Sequence, residues 1–393
     1  MWLENNGYPA DGRVRREAHA LRDAGWDVWV VCPRDGAGRR QRIDGVTVRR
    51  YRRPEAGAGV LAYVAEYAVA LVATFVITVG IRLSGPVDVV HAHNPPDFFA
   101  PMAVVFKLLG AAFVFDQHDL APEMYRARFG ADASDILGAA LSWSEKLSYR
   151  VADCVISTNE SYRAVAIERG RCDPAAVTVV RNGPELAIVY PRSPDPTITA
   201  RSDLVLGYVG ELGPQDGVDH LLRAVAYLRS EFDIDVSAVV VGDGPARASL
   251  ESLAVELGVA DAIEFTGWLQ SEGVMRVLSS TDICVGPDPS NEYNDRSTMI
   301  KLTEYLGLGR PVVAYDLPEN RVTCGEAAWF AAPPDDPYRL AEVIAALWGD
   351  APARELMSRR GLARARDLLA WKHQVPALLA VYDGLAHRTR TAR

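Results

Sequence analysis

Short apolar runs rich in β-branched residues recur along the whole chain, and amphipathic stretches separate them. WDVWVVCP, VDVVHAH, AAFVFDQ, DCVIST and VTVVRNG lie in the first half. DLVLGYVG, VSAVVVGDG, IEFTG, DICVGP, PVVAYD and AAWFAA follow in the second. Runs that are apolar on both faces and alternate with helical periodicity, as in RVRREAHALRDAG and ARASLESLAVELG, predict parallel sheets covered by helices on both sides. The fold class is therefore α/β. Only Met1–Leu3 precede Glu4, so any first strand is short. The stretch YPRSPDPTITARSD, Tyr190 to Asp203, carries three prolines and reads as a linker between two doubly wound domains.

In such sheets ligands bind outside the carboxyl ends of the strands, where helix N-termini converge. At those positions the chain reads ENNGYPADGR, HAHNPPDFF, DQHDLAPEM, GELGPQDG, GDGP and GPDPSNEYNDRST. Two domains facing each other would line a cleft with these loops. The richest stretch is NDRSTMIKLTEYLGLGRPVVAYD, Asn294 to Asp316. It predicts a helix from Ser297 to Leu308, capped by Asn294 or Asp295 and ended by Gly309 and Pro311. The amides of Ser297, Thr298 and Met299 would then form an anion site suited to a diphosphate. Lys301 would add a point charge, and Glu304, one turn on, would accept from two ribose hydroxyls. The competing reading is an exposed i,i+3 ion pair, worth about 0.3–0.5 kcal/mol.

Composition narrows the choice. A chain of 393 residues with 49% hydrophobic and 24% charged content suits two soluble domains. The net charge of −9, without a basic block, argues against nucleic acid as a partner. Five scattered cysteines without a C-x-x-C predict buried thiols in a reducing cytosol. No basic stretch and apolar run of a secretory leader follows Met1. One apolar segment, Ala56 to Ile81, has Glu66 as its only charge, and its uncharged run of 15 residues falls short of a bilayer span. It reads as a buried helix, or as a helix in the membrane interface with Arg50, Arg52, Arg53 and Arg82 at its flanks.

The motifs occur in a familiar order. GDGP (Gly242 to Pro245), FTGWL and KLTEYLGLGRPVVA resemble the C-terminal domain of the retaining family 4 glycosyltransferases, which have the GT-B fold. YPADGRVRREAHALRDAGWDVWVVCP, DVVHAHNPPD, DQHDL and WKHQVPALLAVYDGL resemble the rest, so the resemblance covers essentially the whole chain. It implies two Rossmann-like domains facing across a cleft: an acceptor-side domain at 1–188, a linker at 189–202, a nucleotide-sugar domain at 203–368, and a helix at 369–393 crossing back to the first domain.

The resemblance also implies sugar transfer with retention from a nucleotide-diphospho-sugar of UDP or GDP type, without metal or other cofactor. Glu304 matches the ribose-binding glutamate, Ser297, Thr298 and Met299 the amides near the phosphates, and His118 the histidine beside the sugar ring. Gly7 and Gly210 lie in loops that approach the donor, as do Gly242 and Gly244. The family usually has a second glutamate eight residues before Glu304; here that position is Arg296, with Asp295 beside it. Glu211 and Asp216 stand where the family commonly has an arginine and a lysine for the diphosphate. Arg296 and Lys301 are expected to restore that balance. His93, Asn94 and Asp97 are assigned to the acceptor side, with His91 packed beneath. His-x-His alone offers two imidazoles on one face with no third metal ligand in view. The expected acceptor is a lipid-linked or other cell-surface glycan precursor, handled in the cytoplasm or peripherally at the inner face of the plasma membrane through residues 56–82. A small soluble aglycone is the nearest rival. A sugar-nucleotide epimerase of the same fold and a catalytically silent partner subunit are the others.

Overall fold

The computed structural model describes residues 1–4, 6–34, 36, 38–53, 60–130 and 134–391. The chain divides into two compact units. Unit 1 is Met1–Arg126, Ala131–Arg181 and Gln374–Arg393; unit 2 is Ala127–Gly130 and Asn182–His373.

In unit 1, β1 (Trp29–Pro33), β2 (Arg40–Ile43) and β3 (Val46–Tyr51) form one sheet segment, and β4 (Val89–His93), β5 (Ala112–Gln117), β6 (Cys154–Ser157) and β7 (Val177–Val179) form another. Trp2 joins them. It bridges Val31 on one side and Ala92 on the other, and its amide donates to His91 O at 2.8 Å. The short first strand is thus the centre of the sheet. The order reverses there, so the loops after residue 3 and after β4 flank the switch point. The β2–β3 hairpin turns at Asp44 and Gly45, both with positive φ (48° and 84°), as a two-residue type I′ connection requires. Around this sheet pack α1 (Gly12–Asp23), α2 (Val60–Ser84), α3 (Ala100–Leu108), α4 (Ala121–Phe129), α5 (Asp135–Val151) and α6 (Glu160–Glu168).

Unit 2 holds a six-stranded parallel sheet in the order β10-β9-β8-β11-β12-β13. Its strands are β8 (Leu204–Val209), β9 (Val236–Val241), β10 (Ile263–Gly267), β11 (Ile283–Gly286), β12 (Val312–Tyr315) and β13 (Trp329–Ala331). The reversal falls between β8 and β11. Covering helices run from α7 (Pro196–Thr199) through α8 (Val218–Ser230), α9 (Arg247–Glu256), α10 (Ser271–Ser279), α11 (Ile300–Gly307), α12 (Pro318–Cys324) and α13 (Pro337–Gly349) to α14 (Ala351–Arg364). The chain then returns to unit 1 as α15 (Val375–Thr391). The proline-rich stretch 190–203 packs within unit 2: the Arg192 and Asp195 amides donate to Ser279 Oγ and Ser280 Oγ, and Ile198 joins a core cluster with Val205 and Val239. The chain passes from unit 1 to unit 2 at Arg181–Asn182, upstream of that stretch. All five cysteines are free thiols.

Helix α2 departs from the expectation of a buried helix. It runs for 25 residues because Glu66 does not end it, and it is long and apolar enough, by length and composition, to cross a membrane. Its innermost stripe is Glu66, Ala70, Thr74 and Thr78, with Thr78 accepting from Trp2 Nε1 at 3.0 Å. Its outward face carries Val69, Val72, Val76 and Leu83, the last three more than 60% exposed. Residues 56–59 of the apolar segment lie outside the described residues. Of the flanking arginines, Arg50 is buried and donates to Tyr8 O at 2.8 Å, so it does not face outward as expected, whereas Arg52 and Arg53 are exposed and Arg53 also pairs with Glu66.

Candidate functional site

At the switch point of unit 2, two glycine loops interlock. A Cβ on Gly242 would meet Gly210 O at 1.8 Å, and its φ of 137° excludes side chains in any case. The Gly210 amide donates to Val241 O and the Leu212 amide to Asp243 O, so the loops after β8 and β9 are sewn together. Gly244 is also close, a Cβ there meeting Leu212 O at 2.6 Å. A second clasp comes from Asn294. This residue is buried and does not cap the helix; its side-chain amide donates to Gln215 O (2.9 Å) and Pro289 O (2.8 Å).

Residues 294–296 form a 3-10 turn and α11 begins only at Ile300, three residues later than the periodicity predicts. The reason is local. The Ser297 amide donates to Asn294 O (3.1 Å) and its hydroxyl to Tyr293 O (2.7 Å), which holds the chain extended from Ser297 to Met299. Ser297 therefore does not present its amide as expected. Thr298 Oγ1 lies 3.4 Å from Glu319 Oε2, and Met299 takes the N-cap position of α11.

Lys301 sits in the first turn of α11, buried. Its Nζ is 2.5 Å from Asp288 Oδ1, 4.0 Å from Asp216 Oδ1 and 4.7 Å from the centre of the Tyr208 ring. The exposed-pair reading fails, because Lys301 points into the switch point and is held by aspartates from two loops. Burial alone would lower the Lys301 pKa, but Asp288 and Asp216 together raise it. Burial pushes Asp216 up to about 6, partly offset by Lys301. Asp216 also accepts from the Gly213 amide at 3.0 Å, so it closes its own loop. Glu211 stays half-exposed; Arg296 donates to Glu292 O and Asp295 accepts from Ser290 Oγ. Lys301 thus meets Asp216, and Glu211 lies near enough for its charge to act on Asp216. Glu304 is partly exposed, one turn along α11. Asp288 and Tyr208 were missed by sequence reading, although Asp288 follows directly on a strand end.

In unit 1 the loops after β4 and β5 are locked by Asn94. Its Oδ1 accepts from the amides of His118 (2.5 Å) and Asp119 (3.1 Å), while its Nδ2 donates to Asp97 Oδ1 (2.8 Å) and Asp119 O (2.7 Å). Asn94, Asp97 and His93 are all at least 96% buried, so they build a floor and a clasp and do not line an open surface. Burial raises Asp97 to about 7. His118 is 14% exposed, with Nε2 3.0 Å from Asp116 Oδ2 and 3.2 Å from His93 Nδ1. Gly7 is partly exposed in the loop before α1, its carbonyl accepting from the Asp11 amide. Two buried charges on the inner face of α1, Arg13 and Glu17, complete the floor and were not singled out from sequence. An arginine and a glutamate four apart on the otherwise apolar side of a helix were the available signal.

Two doubly wound units with sites at their switch points are the architecture of a GT-B glycosyltransferase. Comparison with solved structures agrees on the fold. A sucrose-phosphate synthase from Thermosynechococcus elongatus superposes with a TM-score of 0.79 at 18% identity, covering 98% of this chain and 96% of that one. Anabaena HepE, solved with UDP and glucose, gives 0.72 at 16% identity, covering 97% and 98%. The family model described as "Glycosyl transferase 4-like domain" matches residues 11–183, and that described as "Glycosyl transferases group 1" matches 203–350. The chain belongs to the family 4 glycosyltransferases and is a glycosyltransferase. Among its relatives, a 2-deoxystreptamine glucosyltransferase of Streptomyces kanamyceticus is 25% identical over 81% of this chain and 83% of its own length. A D-inositol 3-phosphate glycosyltransferase of Salinispora tropica is 28% identical over 79% and 67%.

Proposed function

We propose that the protein moves a sugar from a nucleoside-diphosphate donor, of UDP or GDP type, bound by unit 2, to an acceptor bound by unit 1, with retention at the anomeric carbon. The observation that carries this reading is the buried Lys301 at the β8–β11 switch point, framed by the interlocked glycine loops. As the glycosidic bond breaks, the leaving diphosphate gains negative charge, and Lys301 with the amide end of α11 stabilises it. The acceptor hydroxyl attacks from the same face and passes its proton to a donor phosphate oxygen, which leaves the protein no general base to supply. Glu304 holds the ribose, and His118 sits beside the sugar ring.

Asp216 opposes the diphosphate, and its titration gives a test. Above pH 6 it is charged, and Asp288 and Asp216 outnumber Lys301; below pH 6 it is neutral. Asp216→Asn keeps an acceptor for the Gly213 amide and removes the charge. One charge at a few ångströms in a partly screened site amounts to roughly 1–2 kcal/mol. The variant is therefore expected to bind nucleoside diphosphate about tenfold more tightly than wild type at pH 7.5. The ratio should fall toward one at pH 5, where both proteins are neutral at this position. A ratio that does not change with pH would remove Asp216 from the phosphate site.

For the acceptor, the reading is a lipid-linked precursor of a cell-surface glycan, with unit 1 docked peripherally on the inner face of the membrane. Support comes from α2, whose valines face outward while threonines and Glu66 face in. Leaving large aliphatic side chains in water forgoes about 1.5–3 kcal/mol each. Helix α3, packed on α2 through Phe75 and Phe106, adds exposed Leu108 and Leu109. On α5, exposed Trp143 is accompanied by Lys146 and Arg150, which suits an anionic headgroup layer. A small soluble polyol is the second reading, favoured by the names of the two relatives, which act on a deoxystreptamine and an inositol phosphate.

The experiment is a calorimetric titration with UDP, GDP, ADP and dTDP, followed by flotation with anionic vesicles and NMR of the product anomer. Micromolar binding of one nucleotide, flotation and a retained anomer support the whole reading. No nucleotide binding would overturn the donor site. Failure to float, with transfer to a soluble cyclitol, would move the second reading ahead.

A further inference from the structure

Beneath His118, four buried side chains from three elements converge. Glu17 comes from α1, His91 and His93 from β4, and Asp116 from β5. His93 Nδ1 lies 3.1 Å from Asp116 Oδ2 and 3.9 Å from Glu17 Oε2; His91 Nε2 lies 3.4 Å and 3.8 Å from the same two oxygens. These four separations are close to the edge of a ligand tetrahedron around an ion with bonds of about 2.1 Å, an edge of about 3.4 Å. The imidazoles stack, with centroids 4.2 Å apart and planes 19° apart, so their nitrogens reach the same space side by side.

Two of the four polar atoms aimed into this space are not used by the protein. Glu17 Oε2 and His91 Nε2 have no hydrogen-bond partner, although Glu17 is fully buried and His91 is 1% exposed. The groups behind them are in place. Arg13 braces both carboxylates: its Nε lies 2.9 Å from Glu17 Oε1 and donates to Asp116 Oδ2 at 3.2 Å, its Nη2 donates to Asp116 Oδ1 at 2.8 Å, and its Nη1 donates to Val180 O. His91 Nδ1 is 2.7 Å from the Tyr382 hydroxyl of α15, which orients the ring with Nε2 inward. Outer partners of this kind, on ring nitrogen and carboxylate alike, orient ligands toward a metal.

We propose that Glu17, His91, His93 and Asp116 form a four-coordinate site for a zinc-like divalent cation. Two imidazoles and two carboxylates are a donor set that suits zinc and its first-row neighbours better than calcium or magnesium. The ion ties α1 to β4 and β5 and, through Tyr382, reaches α15. It lies under the sugar-side histidine and is no part of the bond-breaking step. His118 Nε2 borders the site through Asp116 Oδ2, and an ion on His93 Nδ1 takes the place of the His93–His118 contact, so occupancy bears on where that ring stands.

The test uses tag-free, full-length protein stripped with chelator and dialysed against zinc, with metal content measured. One equivalent is expected, with the visible spectrum of tetrahedral cobalt when Co²⁺ replaces zinc and a higher melting temperature in the loaded form. Glu17→Gln, which keeps the shape and removes the charge, should weaken zinc at least tenfold while leaving the far-UV circular dichroism unchanged. Far less than one equivalent in the wild type would overturn the site. So would equal zinc retention by wild type and variant. Should the variant not fold, the wild-type cobalt spectrum decides: octahedral bands, or none, also overturn it.

Discussion

Replacing Glu304 by alanine is expected to weaken nucleoside-diphosphate binding by roughly 30- to 100-fold. The side chain stands one turn from Lys301 on α11, the helix that follows β11. In the proposed complex it accepts from two ribose hydroxyls, and a hydrogen bond to a charged group contributes about 1.5–3 kcal/mol. A partly exposed carboxylate keeps some hydration in the free protein, so the lower part of the range applies to the pair. Titration calorimetry with the preferred nucleotide reads the effect directly. Glu304→Gln should recover part of the loss, because it retains one acceptor, whereas a purely structural role would leave both variants equally impaired in melting temperature and unaffected in affinity. Affinity unchanged in the alanine variant would remove Glu304 from the site.

His118→Ala is expected to lower kcat by 100-fold or more while changing donor affinity less than threefold. The imidazole belongs to unit 1, whereas the nucleotide contacts proposed above belong to unit 2, so the two effects separate by kinetics. Groups aimed at charge that develops only in the transition state are worth about 3–4 kcal/mol, and they appear in kcat alone. The clasp of Asn94 on the His118 amide is a backbone contact and survives the substitution, which limits collateral damage. A variant with normal kcat would place His118 in a packing role beside His93.

Parallel strands, the two-unit organisation and the glycine-rich strand ends were legible because each is written in local pattern. Apolar runs of strand length, bounded by glycine and aspartate, need no distant partner to be recognised. The β2–β3 hairpin carried its own signal in Asp44-Gly45 but lies in a run of arginines that masks strand alternation. What the pattern could not supply was pairing at a distance. Asn294 looks like a helix cap until Gln215 O and Pro289 O are near it. Lys301 looks solvated until Asp288 arrives from the loop after β11 and Asp216 from the loop after β8. His91 and His93 lack further ligands until α1 and β5 bring Glu17 and Asp116 beneath them. In each case the deciding contact joins elements far apart in sequence, which periodicity does not encode.

The return of the chain to unit 1 has a consequence for biosynthesis. Residues 374–393 complete a body whose other parts end at Arg181, and the 192 residues from Asn182 to His373 come off the ribosome in between. At about 5–20 residues per second, unit 1 waits roughly 10–40 s for α15. During that interval the face that α15 covers, including His91 without its Tyr382 hydroxyl, stands open, while unit 2 can finish folding as soon as His373 has emerged. The half made first is completed last, so nascent-chain holdases should engage this protein chiefly through its N-terminal sheet.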